Sequence, residues 1–288
     1  MPETDPQPVA DAQAQPADSA AGRAPGVRVL FEGRYRKLVR DLPQTVFFCP
    51  ECKGRGCERC EGFGKLTRDS VQELIARVAM PRFKARRNKF HGAGREDLDV
   101  RMLGDGRPFV FEILKARRPD VDLAELEQEI NRRWAGRIEV GELRLCGRRR
   151  VAELKETRSA KEYRARVRFA AETFPGAEEL ERRLLALQAR GALTIVQTTP
   201  GRVAHRRSLL DRERWIRLLS WEQEGGDWLL LLRSEHGTYI KEAVSGDEGR
   251  TRPSISDLLG APCTCVELDV MAILPPEPAA APPDAAPQ

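Results

Sequence analysis

Two stretches of this chain hold residue types that could do chemistry. The first is Phe90-His91-Gly92-Ala93-Gly94-Arg95-Glu96-Asp97-Leu98-Asp99-Val100-Arg101-Met102. Gly92 and Gly94 permit a tight or left-handed backbone, and a carboxylate follows in a Gly-Arg-Glu-Asp turn. Leu98, Val100 and Met102 then alternate with Asp99 and Arg101, the period of a half-buried strand. A carboxylate where a glycine-rich loop enters a strand is well placed to act on a substrate, although charge runs in loops are more often simply solvated. The second stretch, Cys49-Pro50-Glu51-Cys52 through Cys57-Glu58-Arg59-Cys60, puts four of the seven cysteines into twelve residues. Two Cys-x-x-Cys pairs suit a tetrahedral zinc site in which Cys49, Cys52, Cys57 and Cys60 leave no open position, hence a structural Zn2+. Gly54, Gly56, Gly62 and Gly64 relieve the backbone where the knuckles turn. The competing reading is a cluster of free or redox-active thiols. Cys146, Cys263 and Cys265 lack partners at ligand spacing and read as buried or strand cysteines.

The elements that must position these residues are those of an α+β chain. Residues 27–45 are mixed apolar and basic and are expected to pair or pack weakly. Ser70 and Glu73 form a capping box for a helix with Val71, Leu74, Ile75 and Val78 on one stripe, ended by Pro81. The basic segment Arg82 to Lys89 runs into the Asp97 turn, where it is expected to grip phosphates. Strands at 98–103 and 108–114 flank Gly104-Asp105-Gly106, read as a hairpin turn. Asp122 caps a helix through Trp134. Strands follow near 138–145 and 163–171, then a helix over 178–190 closed by Gly191, a strand at 193–198 and a hairpin over 221–232 around Gly225-Gly226. A short helix at Leu258-Leu259 and a strand at 266–270 close the fold. Helices and strands alternate without a βαβ phosphate loop, which predicts a largely antiparallel sheet flanked by helices.

With 288 residues and 41% apolar content there is enough material for a core. Residues 1–26 and 275–288 are poor in large apolar side chains and are expected to be disordered tails. The first carries Glu3, Asp5 and Asp11 and no apolar h-region, so a targeting role is not expected. No run reaches membrane-spanning length; a cytoplasmic, membrane-free protein is expected. The net charge is +5 with a pI near 8.9. Basic clusters at Arg82–Lys89, at Arg148-Arg149-Arg150 and at Arg202-His205-Arg206-Arg207 point to a nucleic-acid partner, against the plainer reading of a solvated arginine-rich surface.

Taken with Arg107-Pro108-Phe109-Val110-Phe111-Glu112-Ile113, the Asp97 stretch resembles the catalytic motif of the archaeal and eukaryotic tRNA pseudouridine synthases of the TΨC arm, which act on uridine 55 and in some members uridine 54. Gln197-Thr198-Thr199-Pro200-Gly201-Arg202-Val203-Ala204-His205-Arg206-Arg207, Gly237-Thr238-Tyr239-Ile240-Lys241-Glu242 and Gly246-Asp247-Glu248-Gly249-Arg250-Thr251 resemble three further segments of that family. The resemblance covers about residues 46–274. It implies a pseudouridine synthase fold with a catalytic domain over 67–274, preceded over 27–66 by a lead-in and the zinc knuckle. It implies Asp97 as the essential catalytic aspartate, attacking sugar or base or deprotonating the sugar, with no cofactor, nucleotide or catalytic metal. A lone buried carboxylate is costly, so Asp97 needs a cation, and Lys241 matches the family's position for it. Tyr163, and after it Tyr239, match tyrosines near the target base. Arg95 would organise the catalytic loop or the displaced RNA, Arg202, His205 and Arg206 would contact the RNA backbone, and Leu268 would line the pocket. The chain departs from the family at Ala243 and Glu248, where aromatics are common, and only a short tail stands where an N-terminal RNA-binding domain of the THUMP type is usual. The resemblance therefore implies tRNA as partner, with two alternatives: another RNA as substrate, or a non-catalytic zinc-knuckle RNA-binding module.

Overall fold

The computed structural model describes residues 26–204 and 208–275. Its first element is β1 (Val27–Lys37), where Val29, Phe31, Gly33, Tyr35 and Lys37 alternate inward. After the cysteine knuckle come α1 (Val71–Arg82), β2 (Arg87–Gly92) and β3 (Arg101–Ala116). Then follow α2 (Leu123–Arg133), β4 (Ile138–Leu145), α3 (Arg149–Glu156), β5 (Lys161–Phe169) and α4 (Ala177–Ala189). The rest is β6 (Leu193–Thr198), α5 (Gly201–Ala204), β7 (Asp211–Glu224), β8 (Asp227–Ser234), α6 (Ile240–Ser245), β9 (Thr251–Arg252), α7 (Ile255–Leu259) and β10 (Cys263–Ile273). The strands form one ten-stranded sheet in the order β4-β1-β3-β10-β5-β8-β7-β6-β9, with β2 on β3. Among the described strands, only β3 and β10 pair in parallel, at Arg101–Asp269 and Met102–Val270. The architecture is α+β and largely antiparallel, as expected. No described helix is long and apolar enough to cross a membrane.

The short β3–β10 ladder joins a half made of β4, β1, β3 and β2 to a half made of β10, β5, β8, β7, β6 and β9. In the first half, Phe31 stacks on Phe83 and Phe111. The apolar stripe of α1 (Val71, Leu74, Ile75, Val78) and Leu126 and Ile130 of α2 close over that core. Trp228, Leu230 and Leu232 of β8 are buried in the second half. At the junction, successive β10 side chains face opposite ways. Leu268 and Val270 face a cleft on one side. Asp269 meets Arg101 at 2.8 and 2.7 Å, Arg40 at 3.0 Å and Arg164 at 3.2 Å.

Five local expectations are corrected. The segment from residue 27 does not pack weakly: β1 pairs with β3 along nearly its whole length and with β4 on its other edge. Gly104-Asp105-Gly106 is not a hairpin turn but a bulge within β3, lying between Met102, opposite Lys37, and Arg107, opposite Tyr35. Gly104 there has φ +56°, and a Cβ on it would lie 1.8 Å from the carbonyl oxygen of Met271. The strand also starts at Arg101 rather than 98. Pro81 lies inside the last turn of α1, which ends at Arg82. Finally, the basic segment 82–89 lies away from the Asp97 turn. Arg87 pairs with Leu114 and Gly92 with Phe109, so Lys84, Arg86 and Arg87 gather with Lys115 and Arg117 at the far end of β3, around a surface hollow of about 570 Å³. Helix α3, over the Arg148–Arg150 cluster, is an element the periodicity did not suggest.

Candidate active site

Asp97 sits in the turn between β2 and β3, on a cleft of about 930 Å³ at the junction of the two sheet halves. The turn is held from behind, carbonyl by carbonyl. Arg107 donates to Ala93 O at 2.7 Å and Gln44 to Gly94 O at 3.1 Å. Lys37 donates to Asp97 O at 3.2 Å and Leu98 O at 3.0 Å, and Arg40 to Asp99 O at 2.8 Å. Gly94 has φ +79°, and a Cβ there would come within 3.1 Å of the Arg107 guanidinium. Beneath the turn the side chain of Glu96 is buried against Arg107, with Nε to Oε2 at 2.8 Å. Tyr35 Oη donates to the same carboxylate at 2.8 Å, and Gln44 donates to Tyr35 Oη at 2.8 Å. A charge pair this deep is tolerated because each member meets the other and further hydrogen bonds. Burial pushes the Tyr35 phenol well up and, against nearby carboxylates, brings the Lys37 ammonium down to about 8.

The expected ion pair of Lys241 with Asp97 is not what the structure shows. Lys241, in the first turn of α6, donates to Asp99 Oδ2 at 2.6 Å. Asp97 instead receives Arg202, whose Nη1 lies 2.7 Å from Oδ2. The reason is the chain path: Asp97 and Asp99 leave one turn two residues apart, Asp99 toward α6 and Asp97 toward α5. Burial works to raise the Asp99 carboxyl, and the Lys241 ammonium overrides it to leave the group below the usual carboxylate range. Asp97 is 37% exposed, so the cleft is open to water at the carboxylate. Arg202 also grips Glu242 through Nε and lies 5.9 Å from the Tyr239 ring centre.

Tyr163 reaches the cleft from β5, and Tyr239 from the residue before α6. Burial, the main influence, pushes the Tyr163 phenol up to about 12, so it stays neutral. Tyr239 is fixed through its backbone: its N–H donates to Gln197 Oε1 at 2.9 Å, and Gln197 Nε2 donates to its carbonyl at 3.0 Å. Gln197, the first residue of a motif quoted from the sequence, is thus a buried clamp near the end of β6. Arg95 lines the mouth of the cleft and Leu268 its wall. His205 and Arg206, with Arg207, lie outside the described residues. Glu96, Arg107, Tyr35, Lys37, Gln44, Lys161 and Phe47 were not singled out from the sequence. Their signal was the inward alternation of β1 for Tyr35 and Lys37, and for Arg107 its place in a quoted motif. Phe47 and Lys161 carried none.

The Sγ atoms of Cys49, Cys52, Cys57 and Cys60 lie within 4.8 Å of one another. The Cys49–Cys57, Cys52–Cys60 and Cys57–Cys60 sulfurs are each 3.7 Å apart. A tetrahedron with metal–sulfur bonds of about 2.3 Å has edges of about 3.8 Å, so this donor set fits a tetrahedral metal ion. The N–H groups of Gly56 and Gly64 point at Cys52 Sγ (3.2 Å) and Cys60 Sγ (3.1 Å), which orients and stabilises thiolates.

The family model described as Pus10, C-terminal, matches residues 30–274. The chain belongs to this family. Among curated relatives, the protein named tRNA pseudouridine synthase Pus10 from Methanothermobacter marburgensis is 46% identical over 245 residues, covering 85% of this chain and 60% of that protein. Its namesake from Methanothrix thermoacetophila is 44% identical over 240 residues, covering 83% of this chain and 52% of that one. This chain thus spans between half and two thirds of the Pus10 relatives it matches. Among solved structures, a chain of the "Crystal Structure of a Cbf5-Nop10-Gar1 Complex" aligns with 70% of this chain and 43% of its own length, at 19% identity and a TM-score of 0.39.

Proposed function

We propose that this chain is an RNA pseudouridine synthase that isomerises uridine in the TΨC arm of tRNA, at position 55. The observation that carries this reading is the Asp97 carboxylate, held by Arg202 at 2.7 Å on a cleft walled by Tyr163 and Tyr239. Membership of the Pus10 C-terminal family supports it. In this reaction the N-glycosidic bond breaks, uracil turns, carbon five bonds to the sugar and gives up its proton to solvent, and N1 takes up a proton, so the product is an isomer of uridine. Asp97 attacks sugar or base, or takes a proton from the sugar. Arg202 pairs with it and aims it, and RNA covering the open mouth excludes water, which strengthens that ion pair. Extruding the base costs a few kcal/mol; stacking on Tyr163 or Tyr239 returns about 1–3 kcal/mol. Lys241, paired with Asp99, shapes the wall opposite Asp97. Arg95 and the segment with His205 and Arg206 supply charge to the RNA backbone, while Arg202 is engaged by Asp97 and Glu242. The four cysteines would hold a structural zinc, and none of these steps uses a cofactor.

The test is tritium release from unmodified tRNA transcript carrying uridine labelled at carbon five, with wild type and Asp97→Asn in parallel. Release by wild type and none by Asp97→Asn, with tRNA binding retained in both, is the expected result. Equal release by the two would remove Asp97 from the mechanism. Binding without release by the wild type would instead favour a binding module.

A further inference from the structure

Phe47 stands at the mouth of the cleft, outside every buried hydrophobic cluster. It belongs to the rim of the cysteine knuckle. Its carbonyl accepts from Leu66 N at 2.8 Å, Phe48 bridges to Lys65, and Cys49 N donates to Gly64 O at 2.9 Å. This small ladder fixes Phe47 two residue pairs beyond the ligand-type Cys49 and turns its neighbour Phe48, 62% exposed, the other way. The Arg95 guanidinium carbon lies 4.8 Å from the Phe47 ring centre. An aromatic face beside a guanidinium plane is the pair of surfaces on which unstacked nucleobases settle. Its place also fits. Arg95 is two residues before Asp97, so Phe47 lies on the turn side of the cleft. Tyr163, Tyr239 and Lys241 come from the other half of the sheet.

We infer that Phe47, with Arg95 on its ring, is a second stacking platform, occupied by a nucleobase flanking the target uridine. The inference rests on the proposed reading that the cleft takes RNA. Pulling one base from its stack exposes the faces of its neighbours, and a platform at the mouth covers one of them. The knuckle thereby acquires a role in substrate recognition, since its ladder fixes where the Phe47 ring points.

Phe47→Leu keeps an apolar side chain and removes the π face, while Phe47→Tyr and Phe47→Trp keep it. Each is placed in the Asp97→Asn background, and equilibrium binding of a fluorescently labelled unmodified tRNA transcript is measured by anisotropy. Metal content and Tm report on the fold. Phe47→Leu is expected to weaken binding about tenfold, the equivalent of about 1.4 kcal/mol of stacking, with metal content and Tm unchanged. Phe47→Tyr and Phe47→Trp should stay within about twofold of the Phe47 parent, as any ring offers the same π face. Phe47→Leu binding as tightly as its parent would overturn the inference. Weakened binding by Phe47→Leu, with no tritium release from the wild type, would keep the platform and dispose of the proposed chemistry. A parent that does not bind the transcript would remove both.

Discussion

At the scale of single residues, the site is decided by which cation meets which carboxylate. Asp97 and Asp99 share a turn, yet one takes Arg202 and the other Lys241. Lys161 adds a partly buried charge that pairs with no carboxylate among the described residues. Its ammonium donates to Ser159 O at 3.0 Å, and burial together with the nearby Arg107 brings it from 10.5 down to about 8. Below about pH 8 the folded chain must carry a charge that burial disfavours; the unfolded chain is free of that cost. Stability from this group is therefore lowest below pH 8, rises between about 8 and 10.5, and levels off once the unfolded chain has lost its proton as well. Lys161→Met should be the more stable protein at pH 7, by up to about 3 kcal/mol, with the gap closing toward pH 10. Urea unfolding at pH 7, 8.5 and 10 measures it, and a gap independent of pH would show that Lys161 carries no such penalty. The cleft residues singled out from the sequence, Asp97, Tyr163, Tyr239, Arg202 and Lys241, stand in recognisable short motifs. The partner of Lys241 was not legible, because a motif says which residues meet a cleft and not where a helix start falls relative to two carboxylates on one turn. Glu96 and Arg107 were hidden for a different reason. Charged residues are rarely so buried, and nothing local marks the pair that is.

At the scale of elements, local signals succeeded where short-range physics decides and failed where distant strands do. Ser70 caps α1 by accepting from Glu73 N, and Asp122 caps α2 by accepting from Ala124 N and Glu125 N, all within a few residues. Gly104-Asp105-Gly106 has the composition of a turn, but pairing with β1 and β10 stretches it through the sheet. In β1 four basic residues obscured an alternation that buries Phe31 and Tyr35 completely. The cysteine knuckle was legible because ligand spacing is itself local. It has little apolar material of its own: Phe48, Phe63 and Leu66 are all more than half or near half exposed at 62%, 55% and 50%. Its order should therefore depend on the metal, since binding free energy at such a site is folding free energy. About one zinc per chain is expected in the purified protein. Cys52→Ser with Cys57→Ser should abolish it and lower Tm by several degrees, the usual scale for a loss of about 2 kcal/mol in a domain this large. Elemental analysis and thermal unfolding check this, and a metal-free wild type would refute it.

At the scale of the whole molecule, two groups of basic residues line hollows in the surface. Arg95, Lys161, Arg202 and Lys241 surround the cleft. Lys84, Arg86, Arg87, Lys115 and Arg117 gather at the far end of β2 and β3. From Arg107, which lines the cleft, to Lys115 along β3 is roughly 26 Å at about 3.3 Å per residue. The second cluster is thus too far to touch the reacting nucleotide, but an RNA that fills the cleft can extend to it. Phosphate contacts of this kind set affinity and its salt dependence without entering the chemical step. On the proposed function, replacing Lys84, Arg86 and Arg87 together by Gln should raise KM for tRNA and leave kcat nearly unchanged. Each lost phosphate contact removes about 0.7–0.9 from the slope of log affinity against log salt, so the triple variant should lower that slope by about 2. Steady-state kinetics, with binding titrations from 50 to 200 mM salt, separate the two quantities. A fall in kcat at saturating tRNA would place the cluster in the reaction after all. An unchanged KM and salt slope would mean that the RNA leaves the cleft by another route.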